Sequence, residues 1–126
     1  MDAAMRRELV ELIRGRGIAA LGTLQAGAPL VSMVLYAASP DLSAVLIHVS
    51  RLAQHTGGLL RDRRVGLLIA EPDKPSRNPL SMARVSIQAD AEPLEGTWKA
   101  KRPAGFRPAC FVKLGYIGTS VLGAGA

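Results

Sequence analysis

The sequence predicts a mainly β protein, a small six-stranded antiparallel barrel with short flanking helices. Three observations favour this class. The spacing of apolar residues changes from a helical period to alternation at Ile18. The first three apolar segments that follow are joined by connections too short for parallel crossovers. The length of 126 residues, 48% of them hydrophobic, is right for a single domain over residues 1–126 with its own core.

The chain begins with a predicted amphipathic helix. Asp2 is placed to cap its N-terminus, and Gly15 and Gly17 are expected to end it. An isolated helix of this length is marginally stable, so we expect it to pack as a brace against the rest of the protein. The residues that share its apolar face at helical spacing are Met5, Leu9, Leu12 and Ile13.

Six apolar segments follow and are predicted to be strands. The fifth has the clearest pattern, because every second residue from Ala83 to Ala89 is apolar and polar residues separate them. Residues 71–79 contain three prolines and are predicted to form the loop before that strand. The predicted strands are Ile18–Leu24, Leu30–Ala37, Ala44–Val49, Val65–Ala70, Ala83–Ala91 and Cys110–Ile117.

The positive charge of the chain is concentrated near its C-terminus. The formal net charge is +6, and residues 96–126 contain five Lys or Arg and no acidic residue. A basic segment of this kind can bind nucleic acid through its phosphates. The segment has no recognisable nucleic-acid-binding motif, so we do not expect a nucleic-acid partner.

Other features exclude several classes of protein. No apolar run reaches the roughly 18 residues of a membrane-spanning helix, and the charged start does not fit a signal peptide. We therefore expect a cytoplasmic protein that does not associate with a membrane. Cys110 is the sole cysteine, which excludes an internal disulfide, and with two histidines it argues against a structural zinc site.

The end of the third predicted strand is the candidate functional site. The strand ends at Val49 and is followed by a predicted short helix over Ser50–Asp62, whose first N–H groups have no partner within the helix. Ser50 adds a hydroxyl donor, and Arg51 adds a planar guanidinium that suits phosphate oxygens. From the residues alone two interpretations stay open, an anion-binding site or an ordinary helix cap beside a solvated arginine.

One part of the sequence carries a family resemblance. Residues from Ser50 to Thr56 read SRLAQHT, and those from Leu59 to Ile69 read LLRDRRVGLLI. These resemble the pattern S-x-L-A-x-H-T-x-N-L-x-x-D-P-R-V-S-L-L of the FMN-binding split-barrel proteins related to pyridoxamine 5′-phosphate oxidase, in the branch of the haem-utilisation flavoproteins. The stretches Ile18–Leu24 and Ser32–Ala37 are similar to the first hairpin of the same family.

The resemblance implies a six-stranded antiparallel split β-barrel of Greek-key type, and a homodimer that holds FMN at its interface. Ser50 and Arg51 match the position that binds the FMN phosphate in the family. Thr56 belongs to the matching motif, and one stretch of the second strand matches the part that lies along the flavin. The cofactor-binding residues implied in this way are Ser32, Met33, Val34, Leu35, Ser50, Arg51 and Thr56.

The chain also departs from the family pattern. The oxidase itself has an arginine and a lysine where Ser32 and Ala37 stand, and an Arg-Lys pair at Arg51-Leu52. The loss of these cations argues against binding of pyridoxamine phosphate, or against tight binding of FMN. The segment 96–126 is shortened and divergent relative to the family.

The function that the resemblance implies is an FMN-dependent oxidoreductase that acts on a small molecule. The flavin would carry the redox chemistry, and the sequence shows no triad or paired carboxylates, so no catalytic residue is assigned. Whether the protein is an enzyme stays open. One alternative is a haem-binding or haem-degrading protein on the same barrel, with His48 and His55 as the available axial ligands. The others are F420 in place of FMN, and a dimeric relic that has lost its cofactor.

Overall fold

A computed structural model describes residues 2–49, 61–76, 78–94 and 110–122 of the chain. The described residues form a helix, a short 3₁₀ turn at Pro79–Ser81 and six strands that close into an antiparallel barrel in the order β1-β2-β3-β6-β5-β4. The mainly β, six-stranded fold that the sequence predicts is therefore confirmed. The elements are α1 (Ala3–Arg16), β1 (Ile18–Gln25), β2 (Ala28–Ala38), β3 (Ala44–Val49), β4 (Arg64–Ala70), β5 (Arg84–Leu94) and β6 (Cys110–Leu122).

Both ends of α1 have the capping interactions expected of their residues. Asp2 Oδ1 accepts a hydrogen bond of 2.7 Å from the Met5 N–H, which satisfies one of the N–H groups that lack a helical partner. Gly17 ends the helix in the left-handed region, at a φ of 73°. The expectation that Gly15 also ends the helix is wrong, because the helix continues through it to Arg16. No described helix has the length and apolar content needed to cross a membrane.

The core lies inside the barrel and is built from alternate residues of the strands. In β5 the inward-facing residues run from Val85 through Ile87 to Ala89, so the alternation seen in the sequence is confirmed. Helix α1 closes one side of the core through Ile13, with Leu9 and Leu12 packed beside it. The largest side chains that are fully buried are Leu21, Ile47, Ile69, Ile87, Val45 and Val85.

The first part of strand β2 is paired on one side only. β1 pairs with it from Ala28 to Leu35, but β3 pairs with it only from Leu35 to Ala38. Among the described residues, no strand pairs with the other side of β2 before Leu35. The barrel is therefore split between the first half of β2 and β3.

The alternation of the ladder determines which main-chain groups face this gap. The Tyr36 N–H donates to the Gly17 carbonyl oxygen on the β1 side, at 3.0 Å. Main-chain groups alternate between the two sides of a strand, so those of Val31 and Met33 point away from β1. Pro29 has the same orientation, as expected of a residue without an N–H at a strand edge. We call this side of Pro29, Val31 and Met33 the open edge of β2.

Candidate functional site

The four β2 residues implied as cofactor-binding do not share one environment. Met33 is 77% exposed and Leu35 is 47% exposed, and both point outward from the barrel. Val34 is 5% exposed and packs in the core, while Ser32 is half-buried. A ligand on the outside of the barrel would therefore meet the side chains of Met33 and Leu35, whereas the side chain of Val34 faces the core.

A groove of about 500 Å³ lies on the outside of the barrel beside Ser32 and Met33. We call it the β2 groove. Its sides are apolar and include Ile18, Val31 and Leu68. Its far end is polar, with one cation and two carboxylates supplied by Arg16, Glu71 and Asp73. Its volume lies within the range of small-molecule sites.

Arg16 is a residue of this groove that was not identified as a site residue from the sequence. Its Nε atom is buried and has no hydrogen-bond partner among the described residues. Burial of the phenol raises the pKa of the neighbouring Tyr36, and a backbone hydrogen bond at Gly17 and the positive charge of Arg16 offset part of this rise. The sequence signal was present, since Arg16 directly precedes the glycine that turns the chain into β1.

A second groove, of about 510 Å³, lies further along the same outer surface. We call it the glycine trough, because Gly22 of β1 and Gly66 of β4 are register partners on its floor. Val31 lines it on one side, and Arg64 and Gln88 line it on the other. The two grooves meet at Val31, which lines both.

An ion pair stands at the outer end of the glycine trough. Arg64 Nη2 lies 2.7 Å from Asp62 Oδ2, and the Arg64 Nε and main-chain N–H also donate to Asp62 Oδ1. These hydrogen bonds from Arg64 lower the pKa of Asp62 to about 2. The hydrogen bond to Asp62, with its charge, raises the pKa of Arg64. Because Arg64 is already paired, it is not a free cation for a ligand.

Strand β3 leads the chain toward the predicted phosphate site. β3 ends at Val49 as predicted, and His48 pairs with Leu35 of β2 and with Phe111 of β6. The predicted phosphate-binding residues Ser50 and Arg51 therefore follow β3 directly in the chain. Four of the predicted residues lie outside the described part of the chain, namely Ser50, Arg51, His55 and Thr56. Among the described residues, no group of three His, Cys, Asp or Glu could hold a metal ion.

Comparison with known protein sequences gives one family match. A family model described as pyridoxamine 5′-phosphate oxidase matches residues 5–109. No curated protein matches the chain.

Three solved structures are similar to the barrel. HutZ of Vibrio cholerae, described as a haem storage protein, is 18% identical, with a TM-score of 0.79 over 94% of this chain and 96% of its own. A haem-binding protein of Mycobacterium smegmatis is 24% identical with a TM-score of 0.79, and this chain covers 57% of its length while aligning over 100% of its own. An FAD-binding protein of Mesorhizobium loti is 16% identical, with a TM-score of 0.71 over 92% of this chain and 90% of its own. At these identities the structures show a shared fold.

Proposed function

Since the chain belongs to the pyridoxamine 5′-phosphate oxidase family, we propose that it is a homodimeric FMN-binding protein that acts as an oxidoreductase on a small molecule. The flavin would lie along β2, with its ring at the open edge of β2 and its phosphate at Ser50 and Arg51. Bound FMN would supply the electron or hydride transfer, and the protein would bind and orient it.

The open edge of β2 is the observation that carries this proposal. An unpaired strand edge presents N–H donors and carbonyl acceptors at regular spacing. The pyrimidine part of a flavin ring carries an N–H between two carbonyl groups, so it is complementary to such an edge. The main-chain groups of Met33 and Val31 face this edge and belong to the strand that the family resemblance relates to the flavin.

The charges of the β2 groove favour one orientation of the cofactor. Glu71 and Asp73 stand at the same end as Arg16, so this end holds one positive and two negative groups. A phosphate would be repelled there, whereas an uncharged ring would not. The phosphate would therefore bind away from Glu71 and Asp73, and we assign it to Ser50 and Arg51, which follow β3 in the chain, together with Thr56.

Retention of FMN tests the proposal directly. The purified protein is incubated with FMN, desalted and examined for the flavin absorbance bands. Arg51→Ala removes a charge-assisted hydrogen bond, and we expect FMN affinity to fall by about tenfold or more. Arg6→Ala removes an exposed charge from α1 and serves as the matched control, with affinity unchanged. Absence of flavin from the desalted protein would contradict the proposal.

Haem binding is the second candidate, and the names of two similar structures favour it. On this alternative His48 or His55 would ligate the iron. Titration with haem followed by its absorbance spectrum distinguishes the two, since His48→Ala or His55→Ala should abolish the shift that the unaltered protein gives. A dimer that retains neither FMN, F420 nor haem would instead support the cofactor-less alternative.

A further inference from the structure

The outer face of the barrel carries a ridge next to a row of small residues. Val31 and Met33 of β2 are 71% and 77% exposed and form the ridge. The register places Gly22 between Val31 and Gly66, and it places Ala20 between Met33 and Leu68. The ridge on β2 therefore runs beside a depression on β1 and β4, which is the glycine trough and its continuation at Ala20.

The trough has room for side chains that this subunit does not provide. A Cβ atom built on Gly66 would meet nothing within 4 Å, and one built on Gly22 would meet only the Gly66 carbonyl oxygen at 3.7 Å. Neither glycine has a positive φ, so the backbone does not require glycine at these positions. Glycine inside a strand weakens it and often marks a place where another chain or a ligand approaches the backbone closely.

We propose that the trough receives the partner subunit's Val31 and Met33 in a two-fold symmetric dimer. This inference rests on the homodimer of the proposed function and specifies its contact surface. A two-fold axis parallel to the strands and between β2 and β1 places each ridge over the other subunit's small residues. The partner subunit's Val31 then lies over Gly22 and Gly66, and the partner subunit's Met33 lies over Ala20 beside Leu68.

The apolar area of this face suits such a contact. Five of its large apolar side chains are exposed, and their combined exposed area is on the order of 500 Å², comparable to the largest apolar patches on monomers. A standard interface buries about 800 Å² on each partner, so these residues would form its apolar centre. The five residues are Ile18, Val31, Met33, Leu35 and Leu68. In a two-fold dimer the same face of each subunit forms the interface, so that face must be complementary to itself.

Two substitutions test the contact from its two sides. Gly66→Leu fills the trough, and Met33→Asp places a charge on the ridge. We expect each to raise the dimer dissociation constant by about tenfold or more, measured by sedimentation over a concentration series. Leu80→Asp is the matched control, because Leu80 is 76% exposed and lies in the 3₁₀ turn away from this face. Its dissociation constant should be unchanged, and far-UV circular dichroism checks that every variant is folded.

Mixed dimers give a sharper test of the ridge and the trough. Val31→Ala lowers the ridge of one subunit, and Gly66→Leu fills the trough of the other. In a mixed dimer the lowered ridge meets the filled trough, and the intact ridge meets the intact trough. We therefore expect the fraction of mixed dimers to exceed the fraction that random association of the two variants would give. Misfolding of either variant would not produce this preference.

The outcomes separate this inference from the proposed function. A wild-type protein that is monomeric overturns both the interface and the homodimer, even if FMN is retained. A stable dimer in which Gly66→Leu and Met33→Asp leave the dissociation constant unchanged, or in which the mixed pair shows no preference, overturns the interface alone. Loss of FMN from Gly66→Leu with an unchanged dissociation constant likewise overturns it, since the trough would then be a ligand site.

Discussion

The Tyr36 hydroxyl donates a hydrogen bond of 2.6 Å to the carbonyl oxygen of Ile13. Both residues are buried, and the bond joins the second strand of the barrel to the last turn of α1. Carbonyl groups in the last turn of a helix lack a partner within the helix. Tyr36 therefore satisfies one of these groups and fixes the helix on the barrel.

Removal of this hydroxyl should destabilise the fold. Tyr36→Phe keeps the ring but leaves the buried Ile13 carbonyl without its donor, and we expect the free energy of unfolding to fall by about 1–3 kcal/mol. Urea denaturation followed by circular dichroism measures the change. An unchanged free energy of unfolding would show that the bond does not hold the helix in place.

The two glycines at the end of α1 should respond in opposite directions to alanine. Gly17 has a φ of 73°, so Gly17→Ala forces a side chain into the left-handed region and should cost about 1 kcal/mol. Gly15 lies within the helix and has open space around its Cα, so Gly15→Ala should stabilise the protein by about 0.5 kcal/mol. Thermal unfolding of the two variants side by side checks the sign of each effect. The same sign for both would contradict the helix boundary.

Acid should weaken the fold through two carboxylates with low pKa values. The pKa of Asp41 is lowered from 3.8 to about 2, mainly by the hydrogen bonds that Ser43 and Ser39 donate to it. The pKa of Asp62 is likewise lowered to about 2 by Arg64. A carboxylate with a lowered pKa stabilises the folded state above its unfolded value, so this contribution is lost as the pH falls from about 4 to about 2.

The variants Asp41→Asn and Asp62→Asn test whether these two carboxylates cause the loss of stability in acid. Each should make the urea midpoint less sensitive to pH between 4 and 2. Asp73→Asn is the control for the loss of one carboxylate, because no described residue donates a hydrogen bond to Asp73. A wild-type midpoint that does not move over this range would refute the prediction.

We predict that the Val34 side chain stabilises the core and does not contact the cofactor. Val34→Ala deletes two buried methyl groups, and we expect the free energy of unfolding to fall by about 2 kcal/mol. FMN affinity should stay the same, because the Val34 side chain faces the core and its main-chain groups point toward β1. Parallel urea denaturation and flavin titration measure both quantities, and a loss of affinity without a loss of stability would reverse the assignment.

Much of the fold follows from local sequence patterns. The predicted strands agree with the observed ones to within a few residues, because alternation with a buried core is a local signal. The larger differences are at the ends of β5 and β6, which extend to Leu94 and Leu122. Each extension pairs with the predicted part of the other strand, Leu94 with Phe111 and Leu122 with Arg84. Pairing of this kind depends on a distant segment, so a local pattern does not show it.

The candidate site was less accessible to sequence reasoning. The motif at Ser50 and Arg51 indicated a cofactor, but the open edge of β2 arises from the register between β2 and β3. The glycine trough likewise depends on Gly22 and Gly66 becoming partners across two strands that are far apart in the chain. Arg16 comes near Ser32 only because α1 folds back over the barrel. Each of these features is set by tertiary structure.

The position of β6 also determines the order in which the protein can be completed during synthesis. β6 is the last of the described strands in the chain, and it pairs with β3 on one side and with β5 on the other. Until Cys110–Leu122 has emerged, both of those strands have an unsatisfied flank and the nascent chain cannot close. A stop codon or a frameshift shortly before Cys110 would therefore leave a chain in which β3 and β5 each have an unpaired edge. Unpaired edges of this kind promote aggregation.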